Sequence, residues 1–312
     1  MAEGGLVGPG TLLALRDSHT PTSGAMGAFA ASVAGGLLML FALGRYVLDV
    51  PKVTLIKLNG TPKKGVYARD VALMVNGKLG QRGALGQAIE FGGSYVQSLP
   101  MDMRFTLTNT STEVGAMTGY IQPDNITLDW CGPRAKRPMV VHETDANFQY
   151  EHVHEFDVSA LEPQVAAPHA PDNVKPLEAV EGTPINQAFL GSCANGRLED
   201  LAAAAAIVKG KKVHPDVRFI VTPASREIFN AAIRAGYIET LNEANAIVTN
   251  ANCGACPGLH GGVLAPGDVA IACNTRNFEG RMGPNASIYL ASPAAVAASA
   301  LEGKIVNPAK YL

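Results

Sequence analysis

The chain has 312 residues, of which 47% are hydrophobic and 17% are charged, and its formal net charge is −2. This length suits about two globular domains, and the composition is typical of packed domains and not of disordered chains. A small negative charge without any block of basic residues argues against binding to nucleic acid or to an anionic membrane through bulk charge.

The chain contains five cysteines. An odd number in a long chain argues against a disulfide framework and favours a reducing compartment. Cys131 and Cys273 are expected to pack in cores, as free cysteines often do. The first ten residues, MAEGGLVGPG, have neither the charged nor the apolar region of a signal peptide. We therefore expect a cytoplasmic protein.

One uncharged stretch allows a different interpretation. Residues 24–44, GAMGAFAASVAGGLLMLFALG, carry no charge over about the length that spans a bilayer. Alanine and glycine contribute little to insertion, and the strongly apolar residues are confined to LLMLF. We favour a buried helix pair, broken near Gly35 and Gly36, over a membrane span, and expect no membrane association.

The first half of the chain contains one clear strand and one clear helix. After Pro51, KVTLIKLNG alternates as a strand does, and ARDVALMVNGKLG predicts a helix that ends at a glycine. Residues 160–182 contain four prolines and predict a linker. We therefore place a first domain at residues 1–159 and a second at residues 183–312.

The second domain alternates predicted strands with predicted helices. The strands are INQAFLG, VRFIVTP, NAIVTNA and DVAIACN, and the helices are GRLEDLAAAAAIVKG and SREIFNAAIRAG. This order predicts an α/β domain with a mostly parallel sheet. Ligands of such sheets bind beyond the carboxyl ends of the strands.

Three thiols and an arginine fall at these predicted strand ends. Cys193 follows the first strand, Cys253 and Cys256 follow the third, and Arg276 follows the fourth. A zinc site would want four tight ligands, and a redox dithiol would open a helix directly after its strand. Three thiolates suit a [4Fe–4S] cluster in which one iron lacks a protein ligand. The spacing favours the cluster, with zinc and buried or redox thiols as alternatives.

Longer motifs around these residues resemble a known family. GSCANGRLEDL, NCGACPG and NTRNFEGRMGPNASIYLASPAA carry the cysteines and arginines, and DSHTPTSGAMGAFA and LTNTSTEVGAMTGYIQPD precede them. In this order they resemble the aconitase family over nearly the whole chain, most closely the large subunits of its 3-isopropylmalate dehydratase and homoaconitase-like branch. The resemblance implies aconitase-like α/β/α domains with mostly parallel sheets and the cluster at the strand carboxyl ends.

The resemblance also assigns roles to individual residues. It implies that Cys193, Cys253 and Cys256 hold the [4Fe–4S] cluster. The implied catalytic residues are Asp17, His19 and Glu113, with His19 paired to Glu113, and the implied substrate-binding residues are Ser18, Asn109, Arg276 and Arg281.

The implied activity is a hydro-lyase reaction, the reversible dehydration of a small 2-hydroxy di- or tricarboxylate, as in leucine biosynthesis. An open cluster iron would act as a Lewis acid on the leaving hydroxyl, a carboxylate–histidine pair would deliver a proton, and arginines would hold the carboxylates. The family places the catalytic base, a serine, on a swivelling domain that dehydratases of this type carry on a separate small subunit.

The N-terminal part departs from the family pattern. Sixteen residues precede Asp17, whereas family members carry a longer segment with further active-site histidines there. Arg16 stands where the family has a glycine, and Thr275 stands where it has an asparagine. We therefore expect an N-terminally shortened large subunit with little or no activity in isolation. The alternative is an inactive remnant of the family that binds an iron–sulfur cluster or zinc.

Overall fold

The computed structural model describes residues 2–312, and the chain divides into two compact units. Unit 1 consists of Met1–Thr61 and Leu79–Ser159. Unit 2 consists of Pro62–Lys78 and Ala160–Leu312. The chain therefore enters unit 2 briefly, returns to unit 1, and then completes unit 2.

The strands are named in chain order. They are β1 (Leu12–Leu15), β2 (Phe29–Ser32), β3 (Val53–Asn59), β4 (Ala88–Gly92), β5 (Thr118–Ile121), β6 (His152–Asp157), β7 (Gln164–Ala166), β8 (Val174–Pro176), β9 (Gln187–Gly191), β10 (Arg218–Thr222), β11 (Ile247–Val248), β12 (Val269–Ala272) and β13 (Ser287–Leu290).

The α-helices are named in the same way. They are α1 (Gly36–Leu43), α2 (Ala68–Leu79), α3 (Ser94–Ser98), α4 (Met101–Thr110), α5 (Asn125–Cys131), α6 (Ser192–Asn195), α7 (Leu198–Val208), α8 (Arg226–Arg234), α9 (Tyr237–Glu243) and α10 (Pro293–Glu302). Short 3-10 segments occur at Thr20–Met26, Ser111–Val114, Gly132–Arg134, Leu177–Val180 and Pro308–Tyr311.

Unit 1 contains two parallel sheets. Four strands form one sheet in the order β5-β4-β3-β6, and β1 and β2 form a parallel pair. Strand β3 is rich in β-branched and aliphatic residues and buries most of its length, which fits its central position. A small core beside the β1–β2 pair includes Met26, Phe105 and Cys131, and the Phe105 and Trp130 rings meet edge to face at 5.5 Å.

Unit 2 is built on one seven-stranded sheet in the order β11-β10-β9-β12-β13-β7-β8. The first five strands of this order are parallel, and β7 pairs with β13 in the antiparallel sense. All five residues of β9 are buried, as expected for a central parallel strand. Helices α7 and α10 are rich in alanine and share one hydrophobic core with this sheet.

The mixed α/β fold with mostly parallel sheets agrees with the sequence-based prediction. Strand β3 and helix α2 lie where the alternation and the terminal glycine placed them. The predicted strand–helix alternation of the second domain corresponds to β9, α7, β10, α8, β11 and β12. Cys131 and Cys273 are both buried, as expected.

The domain boundaries differ from those predicted. Residues 160–182, predicted to form a linker, contain β7 and β8, which extend the edge of the sheet of unit 2. Residues 62–78, placed in the first domain, belong to unit 2. Of the four prolines in residues 160–182, only Pro176 lies in a strand, and it is the last residue of β8, the outermost strand of the sheet, where fewer ladder hydrogen bonds are required.

The uncharged stretch at residues 24–44 does not fold as a helix pair, so the predicted buried pair is wrong. It contains the end of a 3-10 segment, strand β2 and the eight-residue helix α1, none of whose residues is buried. Glycines at both ends of α1 limit its length. Within residues 2–312, no helix is both long and apolar enough to cross a membrane.

Candidate active site

A buried histidine–glutamate pair lies in unit 1. His19 follows β1, and Glu113 lies in the 3-10 segment Ser111–Val114 that follows α4. The His19 Nε2 atom lies 2.9 Å from the Glu113 Oε1 atom, and both side chains are only 7% exposed. The fold thus brings together two residues that are 94 positions apart in the chain, as the resemblance implied.

The turn before His19 holds the imidazole in place. The His19 backbone N–H donates to the Asp17 Oδ1 atom at 2.7 Å, which is the geometry of an Asx turn. The Ser18 Oγ atom lies 3.1 Å from the other ring nitrogen of His19, Nδ1. The Thr112 hydroxyl donates to the Ser18 carbonyl at 2.8 Å, which ties this turn to the segment that carries Glu113.

Asn109 joins the same network from helix α4. Its Nδ2 atom donates to the Thr22 Oγ1 atom at 2.7 Å, and the Thr22 hydroxyl donates to the His19 carbonyl at 2.6 Å. The Asn109 Oδ1 atom is buried without a hydrogen-bond partner within residues 2–312. A buried amide oxygen normally has a partner, so this atom is an exception within the network.

The cysteines lie at the carboxyl edge of the sheet of unit 2. Cys193 lies in α6, directly after the central strand β9, and Cys253 and Cys256 lie in the loop after β11. Cys193 and Cys253 are exposed, whereas Cys256 is 8% exposed. Because β9 and β11 run parallel in one sheet, their following loops emerge at the same edge, as predicted.

Glycines let the loop that carries the Cys-x-x-Cys pack tightly. Gly254 has a φ of +55°, and a Cβ atom there would lie 2.6 Å from the Thr222 Oγ1 atom and 2.7 Å from the Phe189 ring. Gly258 has a φ of +66°, and a Cβ atom there would lie 2.5 Å from the Arg281 carbonyl oxygen. The loop therefore lies against the ends of β9 and β10 on one side and against the arginine segment on the other.

The two predicted substrate-binding arginines lie in the segment after β12. Arg276 and Arg281 are both partly exposed. The Asn274 side-chain amide donates to the Arg276 carbonyl at 2.9 Å. The Arg281 Nη2 atom lies 3.2 Å from the Cys256 sulfur, so an arginine and a predicted cluster ligand are in direct contact.

The donor set partly meets the requirements of an iron–sulfur cluster. Three thiols at one sheet edge are the right kind of ligand for such a cluster. Within residues 2–312, however, no group of three His, Cys, Asp or Glu side chains is arranged to hold a metal ion. The three thiols thus have the chemistry that a cluster requires and lie at one sheet edge, although among the described residues they do not form a site for a single metal ion.

The sequence interpretation missed two buried charged residues in unit 2. Arg69 and Asp70 in helix α2 are 1% and 0% exposed. Burial raises the pKa of Asp70 to about 7, although N–H groups of Gln164 and Tyr67, the Ser292 hydroxyl and the Arg69 charge act in the opposite direction. Their signal in the sequence is only an Arg–Asp pair in the first turn of a helix, which usually indicates a solvated helix start.

Comparison with known proteins decides the family. A model described as the aconitase family (aconitate hydratase) matches residues 1–184 and 175–303. The chain belongs to the aconitase family. This confirms the family predicted from the cysteine and arginine motifs.

Individual relatives match nearly the whole chain. It is 49% identical to a probable methanogen homoaconitase large subunit of Methanothermobacter thermautotrophicus, over 99% of this chain and 72% of the relative. It is 46% identical to a 3-isopropylmalate dehydratase large subunit of Methanopyrus kandleri, over 100% of this chain and 75% of the relative. A 3-isopropylmalate dehydratase large subunit of Geobacter sulfurreducens is 45% identical, over 99% of this chain and 75% of that protein. These names describe hydro-lyases, so the family to which the chain belongs is one of enzymes.

Proposed function

We propose that the chain is the large subunit of a hydro-lyase that reversibly dehydrates a small 2-hydroxy di- or tricarboxylate of the 3-isopropylmalate type. The observation that carries this proposal is the buried contact between His19 and Glu113, at 2.9 Å. In a family of hydro-lyases, a carboxylate–imidazole pair that is shielded from water provides the proton that dehydration requires.

The pair would move a proton between the protein and the substrate hydroxyl. A hydroxide is a poor leaving group, so it must be protonated as the carbon–oxygen bond breaks. Ser18 at Nδ1 and Glu113 at Nε2 contact both nitrogens of the His19 ring, and Asp17 fixes its backbone. These contacts keep the imidazole in one orientation, which a proton donor needs.

The arginines would bind the substrate carboxylates. A guanidinium pairs with a carboxylate through two parallel hydrogen bonds, which fixes both position and orientation. Arg276 and Arg281 are exposed enough to reach a ligand. Ser18 and Asn109 keep the binding roles that the resemblance implies.

Cys193, Cys253 and Cys256 would hold a [4Fe–4S] cluster. When bound, such a cluster with an open iron supplies a Lewis acid for the substrate hydroxyl. The Arg281 Nη2 atom donates to the Cys256 sulfur at 3.2 Å, which holds this side chain in its place in the loop.

The chain would act with a small subunit, in the reducing environment of the cytoplasm. The relatives are named as large subunits, which supports a partner that completes the enzyme. We assign the base that removes the carbon-bound proton to that partner, as the resemblance to the family implies.

The test is an assay of the chain with and without the small subunit of a 3-isopropylmalate dehydratase. After anaerobic loading with iron and sulfide, the pair should form the unsaturated acid from 3-isopropylmalate, and the chain alone should not. Substantial turnover by the chain alone would contradict the assignment of the base. Absence of turnover of 3-isopropylmalate and of homoisocitrate by a loaded, assembled pair would contradict the proposed activity.

A further inference from the structure

A buried arginine lies behind the segment that carries the proposed substrate-binding arginines. Arg69 belongs to helix α2, in the part of the chain that enters unit 2 before the rest of that unit. It is among the largest side chains of the protein that are fully buried. Burying a guanidinium costs free energy unless it is hydrogen-bonded or paired with a charge. The groups that Arg69 contacts therefore indicate its role.

Arg69 fixes the backbone where β12 ends. Its Nη2 atom donates to the Asn274 carbonyl at 2.6 Å. The side-chain amide of the same Asn274 donates to the Arg276 carbonyl at 2.9 Å. Two hydrogen bonds in series therefore connect the Arg69 guanidinium to the backbone of Arg276.

The residue that precedes Asn274 is a buried cysteine. Burial raises the pKa of Cys273 well above its usual range, and the charges of Asp200, Arg69 and Asp70 also act on this thiol. The Asp70 carboxylate in turn accepts the backbone N–H of Gln164 at 2.8 Å.

Asp200 lies in the first turn of helix α7, shortly after the segment that carries Cys193. It accepts the Arg197 backbone N–H at 3.0 Å and the Asn195 side-chain amide at 3.3 Å. Asn195 lies two residues after Cys193, in the same short helix α6. Asp200 therefore ties the start of helix α7 to the short helix that carries Cys193.

We propose that Arg69 is a positioning residue: its buried guanidinium, held by the Asn274 carbonyl, sets the place of Arg276 for the carboxylate of a dicarboxylic acid. This proposal rests on the proposed role of Arg276. A purely structural arginine would affect only the stability of unit 2, whereas a positioning arginine also determines the affinity for dicarboxylates. A displacement of about 1 Å at a binding group is enough to change function by about a hundredfold.

The test compares Arg69→Met and Arg69→Lys in the chain assembled with its small subunit. The control is Arg104→Met, which removes a fully buried arginine of unit 1 that pairs with Asp124 at 2.6 Å. Three quantities are measured: the affinity for 3-isopropylmalate by calorimetry, hydrogen–deuterium exchange of residues 274–282, and the thermal midpoint of unfolding.

Arg69→Met should weaken binding by about tenfold or more and speed exchange in residues 274–282. Arg69→Lys should recover part of both, because an ammonium can still donate to one carbonyl. Arg104→Met should lower the thermal midpoint without changing binding or this exchange. A folded Arg69→Met with normal affinity and exchange would overturn the proposal.

Two further outcomes remain decisive. If Arg69→Met fails to fold, Arg69→Lys decides alone, and normal affinity and exchange in this variant would overturn the proposal. If the unmodified protein does not bind 3-isopropylmalate, the proposed substrate fails, and exchange in residues 274–282 then tests the positioning of this segment separately.

Discussion

The environment of His19 determines what its side chain can do. Its Nε2 atom contacts a carboxylate and its Nδ1 atom contacts a hydroxyl, and the pair with Glu113 is buried. A surface ion pair of this kind would contribute little, because water screens it. A buried pair is shielded from this screening, which suits the acid–base role that we propose for it.

We predict that Glu113→Gln lowers the turnover of the assembled enzyme by about 10²–10⁴-fold, the usual contribution of a positioned acid or base. The amide oxygen can still accept a hydrogen bond from His19, so the free energy of unfolding should change little. The control is Glu155→Gln, which removes an exposed carboxylate paired with Lys57 at 2.8 Å. Steady-state kinetics and urea unfolding give the two quantities, and a Glu113→Gln enzyme with more than half of the normal turnover would contradict the assigned role.

Asp70 predicts a pH dependence of stability. Burial raises its pKa to about 7 in the folded state, whereas an unfolded aspartate has a pKa of about 3.9. Between these values the folded state binds the extra proton, so the Asp70 contribution to the free energy of unfolding falls as pH rises, by up to about 4 kcal/mol. It is fully present below about pH 4 and lost above about pH 7.

The measurement is the urea midpoint of the unmodified protein and of Asp70→Asn at pH 5 and at pH 8. The urea midpoint of the unmodified protein minus that of Asp70→Asn should be more positive at pH 5 than at pH 8. A difference between the two proteins that stays constant across this range would show that Asp70 keeps an ordinary pKa.

At the scale of elements, the loop after β11 depends on its glycines. Gly254 combines a positive φ with a backbone position directly against Phe189 and Thr222. Gly267 also has a positive φ, of +86°, but a Cβ atom there would meet nothing within 4 Å. Substitution of Gly267 therefore tests backbone strain alone, whereas substitution of Gly254 tests backbone strain together with steric overlap.

We predict that Gly267→Ala costs about 1–2 kcal/mol of stability from backbone strain alone. Gly254→Ala should cost more, because the new methyl group must displace the ring or the hydroxyl, and it should also reduce iron incorporation by shifting Cys253 and Cys256. Thermal unfolding and iron content per chain after anaerobic loading test both effects. Equal iron content in the two variants would show that the packing of this loop does not set the position of the cysteines.

At the scale of the whole molecule, local sequence patterns predicted the strands, the helices and the sheet edge, but they did not predict contacts between distant residues. The alternation of strands and helices in unit 2 placed Cys193, Cys253 and Arg276 at one sheet edge, because parallel strands with right-handed crossovers leave little choice. The pairing of His19 with Glu113 came only from the family resemblance, since residues 94 positions apart carry no local sign of their contact.

The sequence interpretation missed features that depend on which of the two units a segment belongs to. Residues 62–78 read as part of the first domain, yet they bring Arg69 and Asp70 into unit 2. Residues 160–182 read as a linker because of their prolines, yet they contain β7 and the outermost strand, β8, of the sheet of unit 2. The amino-acid composition of a segment indicates its average solvent exposure and flexibility. It does not indicate whether the segment packs in a domain that is distant in the sequence.

The central claim is that Cys193, Cys253 and Cys256 hold a [4Fe–4S] cluster for hydro-lyase chemistry. Anaerobic loading of the purified chain with iron and sulfide tests it most directly, with Cys193→Ser as the variant and Cys131→Ala, at a buried cysteine of unit 1, as the control. The unmodified chain and the control should bind about four iron and four sulfide per chain with the spectrum of such a cluster, and Cys193→Ser should not. Stoichiometric zinc without a cluster, or a cluster that is unchanged in Cys193→Ser, would contradict the claim.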